Sequence, residues 1–201
     1  MTAIIDYDAG NLRSVEKALL ALGDTPVITR DRDKIISADR VILPGVGSFG
    51  DAMERLHQYG LVKVIHQVAR QGTPLLGICL GLQLLFERSE ESVGIEGLGV
   101  LKGEILRIPD GEGRKVPNMG WNSLSPRPDT RLFAGIADGS YVYFVHSYYL
   151  KADDEAQVAA ATEYGVHIDA AVESGNIFAC QFHPEKSSDT GLQILKNFIS
   201  L

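Results

Sequence analysis

The first half of the chain alternates short apolar runs with segments whose apolar residues recur every three or four positions. Runs at residues 3–5, 26–29, 41–43 and 74–78 are typical of buried strands. Helical periodicity follows the first run as far as Gly23, covers residues 51–70 with a break near Gly60, and covers residues 80–88. This alternation predicts right-handed crossovers and a mostly parallel sheet covered by helices on both faces, which is the α/β class.

The second half has shorter strands with turn residues between them. We predict additional mixed or antiparallel strands over residues 100–108, 121–124, 141–150, 158–164, 170–173 and 177–182. We place residues 165–167 in a turn and begin the last helix at Asp189. The length of 201 residues, without a linker or a repeat, favours a single domain over residues 1–201.

Charge and cysteine content narrow the function classes. The chain has 19 Lys and Arg against 26 Asp and Glu, a net charge of −7, so nucleic acid and anionic membranes are not expected partners. No apolar stretch approaches the about twenty residues of a membrane-spanning helix, and no signal-peptide pattern is present. Two cysteines, Cys79 and Cys180, cannot form a disulfide framework, so we expect a reducing, cytoplasmic location.

Residues 77–81, Gly-Ile-Cys-Leu-Gly, lie where the fourth strand passes into a helix. This is the pattern of a nucleophile elbow with cysteine as the nucleophile. Gly77 and Gly81 leave room for a sharp turn, and the helix N-terminus favours the thiolate form of Cys79. The Leu80 N–H would point at a developing oxyanion. Most free cysteines are small core residues, and this is how we interpret Cys180. The pattern around Cys79 therefore indicates a nucleophile only if the chain also supplies a general base.

His183 is the best candidate for that base. It is followed by Pro184 and Glu185, and in an extended chain residues i and i+2 share a face. We expect Pro184 to hold the chain extended, so that the Glu185 carboxylate orients the imidazole. Taken alone, this tripeptide is more typical of a turn that ends a strand and carries a surface carboxylate, and the catalytic interpretation gains only when it is paired with the elbow. The other histidines have simpler explanations. His57 and His66 lie among polar residues of a helical segment, His146 lies in an apolar strand, and His167 lies in a turn.

A glycine-rich loop follows the third strand. Residues 44–50, Pro-Gly-Val-Gly-Ser-Phe-Gly, match the Gly-x-Gly-x-x-Gly spacing of a dinucleotide-binding fingerprint. That fingerprint follows the first strand of its fold, so nucleotide binding is not expected here. The loop is better suited to lie opposite the elbow as an oxyanion loop. We predict no cofactor and no metal site.

Together, residues 44–47, 77–83 and 183–185 resemble the triad-type (class I) glutamine amidotransferases. Residues 116–122 and 143–148 narrow the resemblance to the glutaminase subunits of imidazole glycerol phosphate synthases, which act in histidine biosynthesis. The resemblance covers the chain essentially end to end. It implies a flavodoxin-like α/β glutaminase domain.

The resemblance also implies a role for each matching residue. Cys79 would attack the side-chain amide of glutamine, His183 would protonate the departing ammonia, and Glu185 would orient His183. Water would then release glutamate from the thioester. The oxyanion hole would be formed by Val46, Gly47 and Leu80, and the substrate would be held by Gln83, Ser147 and Tyr148.

The family resemblance implies a partner as well. A cyclase subunit, forming a heterodimer with this chain, would use the ammonia on a phosphoribosyl-formimino substrate. Its products would be imidazole glycerol phosphate and an aminoimidazole carboxamide ribotide. The residues that match interface positions are Pro117, Met119, Trp121, Tyr143 and Lys186, although Trp121 and Tyr143 alone could be core aromatics. Asn118 is a departure from the family pattern, in which His or Gln is expected at this position. We expect this difference to affect only the partner-facing loop and not the triad.

Two alternatives remain open at this point. The chain could be the glutaminase of another synthase, such as those of pyridoxal phosphate or anthranilate, although residues 119–122 argue against it. A Cys-elbow peptidase or a stress-response protein would not explain His183 and Glu185 together with Gln83. A catalytically silent binding module would be favoured if a thiol-alkylating glutamine analogue labelled neither Cys79 nor Cys180. We expect weak glutaminase activity without a partner, because the glycine-rich loop can misalign.

Overall fold

The computed structural model describes residues 1–111 and 114–201. The strands are β1 (Thr2–Ile5), β2 (Pro26–Thr29), β3 (Arg40–Gly45), β4 (Leu75–Cys79), β5 (Arg88–Ser89), β6 (Gly103–Arg107), β7 (Asn118–Ser123), β8 (Ser125–Pro126), β9 (Tyr141–His146), β10 (Tyr148–Ala152), β11 (Val158–Glu163), β12 (His167–Ser174) and β13 (Ile177–Cys180). The helices are α1 (Leu12–Ala21), α2 (Arg32–Ile36), α3 (Phe49–Gln58), α4 (Leu61–Arg70), α5 (Leu80–Leu84) and α6 (Ser188–Ile199). None of these helices combines the length and the apolarity needed to cross a membrane.

An eight-stranded sheet organises the molecule, in the order β2-β1-β3-β4-β13-β12-β11-β8. Strands β2, β1, β3, β4 and β13 are parallel, and the remaining pairs are antiparallel. The predicted α/β class, with antiparallel strands in the second half, is confirmed. The order has one consequence for function: β13 lies beside β4, so the chain that follows β13 meets the elbow that follows β4.

The sheet is buried on both faces, which explains the nearly continuous apolar runs of its strands. Alternate residues of β1 point to opposite sides, with Ile4 in one core cluster and Ala3 and Ile5 in the other. Helices α1 and α6 cover the first side, and α3 and α4 cover the second.

The helix predicted over residues 80–88 is shorter than expected. It ends at Leu84 because the following residues pair with a returning segment: Leu98 N–H donates to the Leu84 carbonyl, and Val100 N–H donates to the Leu85 carbonyl. The short helix α2 was not predicted. Its first turn is capped by Asp31, whose carboxylate accepts from the N–H groups of Asp33 and Lys34.

Two predictions for the second half are wrong. The strand predicted over residues 141–150 is two strands, because β9 pairs with β7 while β10 pairs with β6. Ser147 lies at the break, where its carbonyl accepts from Ile108 N–H at 2.9 Å. His167, which we placed in a turn, begins β12 and pairs with Glu163.

The elbow between β4 and α5 depends on two glycines. A Cβ atom at Gly81 would lie 1.8 Å from the backbone carbonyl oxygen of Leu43 in β3. A Cβ atom at Gly77 would lie 2.7 Å from the carbonyl oxygen of Gly81. Both clashes are with backbone atoms, so side-chain rotation cannot relieve them.

We predict that Gly81→Ala strongly destabilises the protein, by about 3 kcal/mol or more, because the elbow must separate from β3. Gly72→Ala is the control. Gly72 has φ +84 and open space around its Cα, so the cost there is limited to the left-handed conformation, about 1 kcal/mol. Urea unfolding of both variants measures the difference, and equal losses would contradict this account of the elbow.

Candidate active site

The structure places Cys79 at the turn from β4 to α5, as the sequence pattern predicts. Its backbone has φ 54 and ψ −109, a conformation that a residue with a side chain rarely adopts. The residue is 7% exposed. Its sulphur lies 3.9 Å from the Val145 carbonyl oxygen and 3.8 Å from Gln181 Nε2. Backbone geometry therefore positions the predicted nucleophile, and the thiol itself makes only weak contacts.

His183 and Glu185 are in contact, but the predicted route is wrong. Residues Pro184–Lys186 form a 3₁₀ turn instead of an extended segment. The turn is closed by Ser187 Oγ, which donates to the His183 carbonyl at 2.6 Å. It brings Glu185 Oε1 to 2.8 Å from His183 Nδ1, with both side chains almost completely buried. The carboxylate can therefore orient the imidazole as expected.

The pKa of His183 is raised to about 9. Burial lowers this pKa, but interactions with the Cys79 side chain and the Glu185 carboxylate outweigh burial. Nδ1 is committed to Glu185, and Nε2 has no hydrogen-bond partner among the described residues. His183 therefore holds a proton at neutral pH and can deliver it from Nε2 into the site.

A pocket of about 330 Å³ opens over Cys79. It is small enough for a metabolite and too small for a folded segment of a macromolecule. The residues that line it are Val46, Gly47, Cys79, Leu80, Gln83, Glu91, Pro117, Val145, His146, Ser147, Tyr148 and His183. All the residues expected for the oxyanion hole and for substrate binding are thus gathered in one cavity, while Glu185 lies behind His183.

The predicted oxyanion loop lies between β3 and α3. Leu80 is the first residue of α5, where N–H groups lack an acceptor inside the helix. Opposite it, Val46 is 41% exposed and Gly47 has φ +104. The loop is fixed at both ends, because Tyr7 Oη donates to the Pro44 carbonyl at 2.8 Å and Ser48 Oγ accepts from Asp51 N–H. The ends of the loop are therefore held, whereas Val46 and Gly47 in its middle are exposed.

Gln181 belongs to the site, although the sequence analysis did not identify it. Gln83 Nε2 donates to the Tyr148 carbonyl at 3.1 Å and to Gln181 Oε1 at 3.0 Å, and Gln181 Nε2 reaches the Cys79 sulphur. The Gln83 side chain is therefore part of the pocket wall. The available sequence signal was a polar residue within the apolar run of residues 177–182, two positions before His183.

His146 was also missed as a site residue. It pairs with Asn118 across β7 and β9, and both side chains are buried. Its Nδ1 lies 2.8 Å from the Tyr148 carbonyl and its Nε2 lies 3.1 Å from Asn118 Nδ2. Burial lowers the pKa of His146 to about 4, so the ring is neutral, donates from Nδ1 and accepts at Nε2. Asn118, expected to affect only the partner-facing loop, fixes this tautomer.

Of the residues that match interface positions, Pro117 lines the pocket. Met119 is 63% exposed and Trp121 is 53% exposed, and the ring of Tyr143 packs edge-on against Trp121 with centroids 6.1 Å apart. Pro117 and Lys186 are exposed as well. Trp121 is therefore a surface residue and not a core aromatic.

No group of three or more metal-binding side chains was found in the described part of the chain.

We predict that Cys79→Ala lowers the pKa of His183, because the interactions of Cys79 that raise it are lost while burial continues to lower it. A histidine whose folded pKa exceeds its ordinary value of 6.5 stabilises the fold fully below pH 6.5, and this contribution is lost as the pH rises through about 9. NMR titration of the His183 ring measures the pKa. Cys180→Ala is the control and should leave the pKa of His183 unchanged. The same pKa of His183 in both variants would refute the interaction between Cys79 and His183.

We predict that Asn118→Asp raises the pKa of His146 from about 4, because a carboxylate replaces the amide donor at Nε2. In the unaltered protein the folded pKa lies below the ordinary value, so stability is lost as the pH falls from 6.5 towards 4. Asn122→Asp is the control, since Asn122 donates to the Glu163 carbonyl. Nitrogen NMR of the histidine rings measures the pKa of His146 in both variants. An unchanged His146 pKa in Asn118→Asp would show that Asn118 does not control the protonation of His146.

Comparisons with known proteins agree with this geometry. Residues 3–201 match the family model "Glutamine amidotransferase class-I". The chain is 55% identical over 197 residues to the imidazole glycerol phosphate synthase subunit HisH of Moorella thermoacetica, covering 98% of this chain and 92% of that protein. It is 52% identical over 198 residues to the protein of the same name from Bacillus cereus (strain G9842), covering 98% and 93%.

Solved structures show the same fold at low sequence identity. A chain from the structure of PurLQS from Thermotoga maritima superimposes with a TM-score of 0.76 at 24% identity, covering 99% of this chain and 97% of that one. A structure described as a glutamine amidotransferase gives a TM-score of 0.75 at 22% identity, covering 98% of both chains. From the full-length family match and relatives above 50% identity, we conclude that this chain belongs to the class I glutamine amidotransferase family.

Proposed function

We propose that this chain is the glutaminase subunit of imidazole glycerol phosphate synthase. One observation carries the proposal: Cys79 on a strained elbow and a buried His183–Glu185 pair meet at one small pocket. The names of relatives that are 52–55% identical over nearly the whole chain support the choice of synthase. The reaction is the hydrolysis of glutamine to glutamate and ammonia.

The geometry supports a two-stage mechanism. The Cys79 sulphur attacks the side-chain carbonyl carbon of glutamine, and the new carbon–sulphur bond pushes an electron pair onto the carbonyl oxygen. As that oxyanion collapses, the carbon–nitrogen bond breaks and His183 gives its proton to the leaving ammonia. Neutral His183 then takes a proton from water, whose oxygen attacks the thioester. The carbon–sulphur bond breaks, glutamate leaves, and the charged Cys79–His183 pair is restored.

The remaining assignments follow from the pocket. We assign the oxyanion hole to the N–H of Leu80 and to the peptide between Val46 and Gly47, which line the same pocket as Cys79. We assign substrate binding to Gln83, Ser147 and Tyr148, which also line this pocket. Since Gly47 lies in an exposed loop at φ +104, the second donor can turn away when nothing holds it.

The partner surface that we propose is the outward face of the β7–β9 pair. It carries Met119 and Trp121, with Tyr143 packed beside Trp121, and Pro117 links it to the pocket. Exposed Met and Trp are the residue types enriched in protein interfaces. Lys186 lies in the turn that follows His183. A cyclase subunit seated here would receive ammonia close to the place where it is released.

We also propose that residues 1–201 act as one domain, because both core clusters share the eight-stranded sheet. A cytoplasmic location is consistent with the chemistry. Cys79 functions only as a reduced thiol, and both cysteines are free.

We predict weak glutaminase activity for the chain alone and strong stimulation by the cyclase subunit, because the partner would hold the loop around Gly47 in its productive orientation. Glutamate release from the purified chain, with and without the cyclase, measures this. Cys79→Ala should be inactive in both assays, and Cys180→Ala should behave like the unaltered protein. Stimulation by an anthranilate or pyridoxal phosphate synthase, with none from the cyclase, would overturn the assigned synthase.

We predict that Trp121→Ala weakens cyclase binding by about 2 kcal/mol, as expected for an interface tryptophan. Val93→Ala is the control, because Val93 is 91% exposed and lies outside the proposed surface. Calorimetric titration of each variant with the cyclase gives the two affinities. Equal affinities for both variants would place the partner on another surface.

A further inference from the structure

The Glu185 carboxylate has an unusual environment. Its side chain is fully buried, and Oε1 accepts two hydrogen bonds, from His183 Nδ1 and from Asn11 Nδ2. Oε2 is buried and has no partner among the described residues. A buried carboxylate with so few donors depends on each of them for its hydrogen bonding and its position. The Asn11 amide is therefore half of the hydrogen bonding found around the acid of the triad.

The backbone of Asn11 explains why its side chain reaches that acid. Asn11 occupies the position before α1, with φ 73 and ψ 5, in the left-handed region. An asparagine in this position usually accepts a hydrogen bond from the first turn of its helix, but this one does not. Its carbonyl still accepts from Ser14 N–H at 3.2 Å. The left-handed turn has redirected the amide from the helix to Glu185.

The segment that carries Asn11 is anchored independently of the triad. Arg55 donates to the Asp8 carbonyl at 2.6 Å, and Arg30 pairs with the carboxylates of Asp6 and Asp8 at 2.9 and 2.6 Å. The Tyr59 hydroxyl also donates to Asp8. These contacts hold the segment from outside the pocket, so the position of Asn11 does not depend on His183 or Cys79.

We propose that Asn11 is a positioning residue of the triad. Its amide supplies one of the two hydrogen bonds to Glu185 and fixes the face that the carboxylate presents to His183. The protonated form of His183 is stabilised in part by Glu185, and a protonated imidazole in turn favours a nucleophilic sulphur beside it. Asn11 thus supports the nucleophile through two intermediates, without touching the substrate. The inference rests on the proposed glutaminase chemistry.

The test compares Asn11→Gly with Asp8→Asn. Glycine adopts the left-handed backbone without cost, so Asn11→Gly removes the amide and little else. Asp8 lies in the same segment, also with positive φ, and its carboxylate points to Arg30 and Tyr59. Asp8→Asn removes the charge at that position, but the contacts of Arg55 with the backbone carbonyl of residue 8 and of Arg30 with Asp6 remain. We therefore expect the hydrogen bond from Asn11 to Glu185 to be retained.

Two measurements are made on each variant. The first is the pH dependence of Cys79 alkylation by iodoacetamide, followed by peptide mass spectrometry, which needs no glutaminase activity. The second is glutamate release in the presence of the cyclase. For Asn11→Gly we expect the acid limb of the alkylation profile to move to higher pH. We also expect kcat to fall about tenfold, the effect of losing one hydrogen bond to a charged group, with KM changed less than about twofold.

A second variant keeps the test decisive if Asn11→Gly is poorly folded. Asn11→Asp has the same shape but places a second carboxylate against Glu185, so the acid limb should move further in the same direction. The Asp8→Asn profile should match that of the unaltered protein. Unmoved profiles in both Asn11 variants, or an equal shift in Asp8→Asn, would overturn the proposal. A shifted alkylation profile in a protein that releases no glutamate would support the role of Asn11 and refute the proposed function instead.

Discussion

The backbone of Cys79 is the constraint on which the site depends. Its φ of 54 and ψ of −109 are tolerated only because α5 begins directly against the backbone of β3, with Gly81 in contact with Leu43 and Gly77 in contact with Gly81. Such a conformation persists when the surrounding structure over-determines it. The sulphur has no strong hydrogen bond of its own, so the packing of glycines, rather than polar contacts, determines the position of the proposed nucleophile.

The site also requires that the positive charge of His183 be stabilised in an almost fully buried environment. His183 is 1% exposed, and burial alone would remove its proton. Interactions with the Cys79 side chain and with the Glu185 carboxylate reverse this effect, although Glu185 is itself buried. The pairing of β13 with β4 makes this arrangement possible, because Cys180 lies opposite Ile78 and the following residues lead directly to His183. His146, on the same pocket wall, is kept neutral by burial, so the positive charge is confined to one ring.

The sequence predicted the parts of this arrangement that depend on local patterns. Apolar periodicity gave the parallel strands, and the Gly-Ile-Cys-Leu-Gly segment gave the elbow. Prediction from the sequence failed where contacts with distant segments override the local conformational preference. The helix after Cys79 ends at Leu84 because residues 97–101 bind the chain there, and the contact from Asn11 to Glu185 spans 174 positions. Pro184 was expected to keep its segment extended, yet the Ser187 hydroxyl closes a turn there, and proline is compatible with both conformations.

The β7–β9 pair connects the exposed surface to the nucleophile through the alternation of its side chains. Met119 and Trp121 point outwards, whereas Asn118 points inwards and holds His146. From His146 the contacts continue through the Tyr148 carbonyl to Gln83, Gln181 and finally the Cys79 sulphur. Since adjacent residues of one strand cannot move separately, any shift of β7 that reseats Met119 also displaces Asn118. A partner on the outer face would therefore act on the wall of the pocket within one residue of its own contact, even though it never enters the pocket.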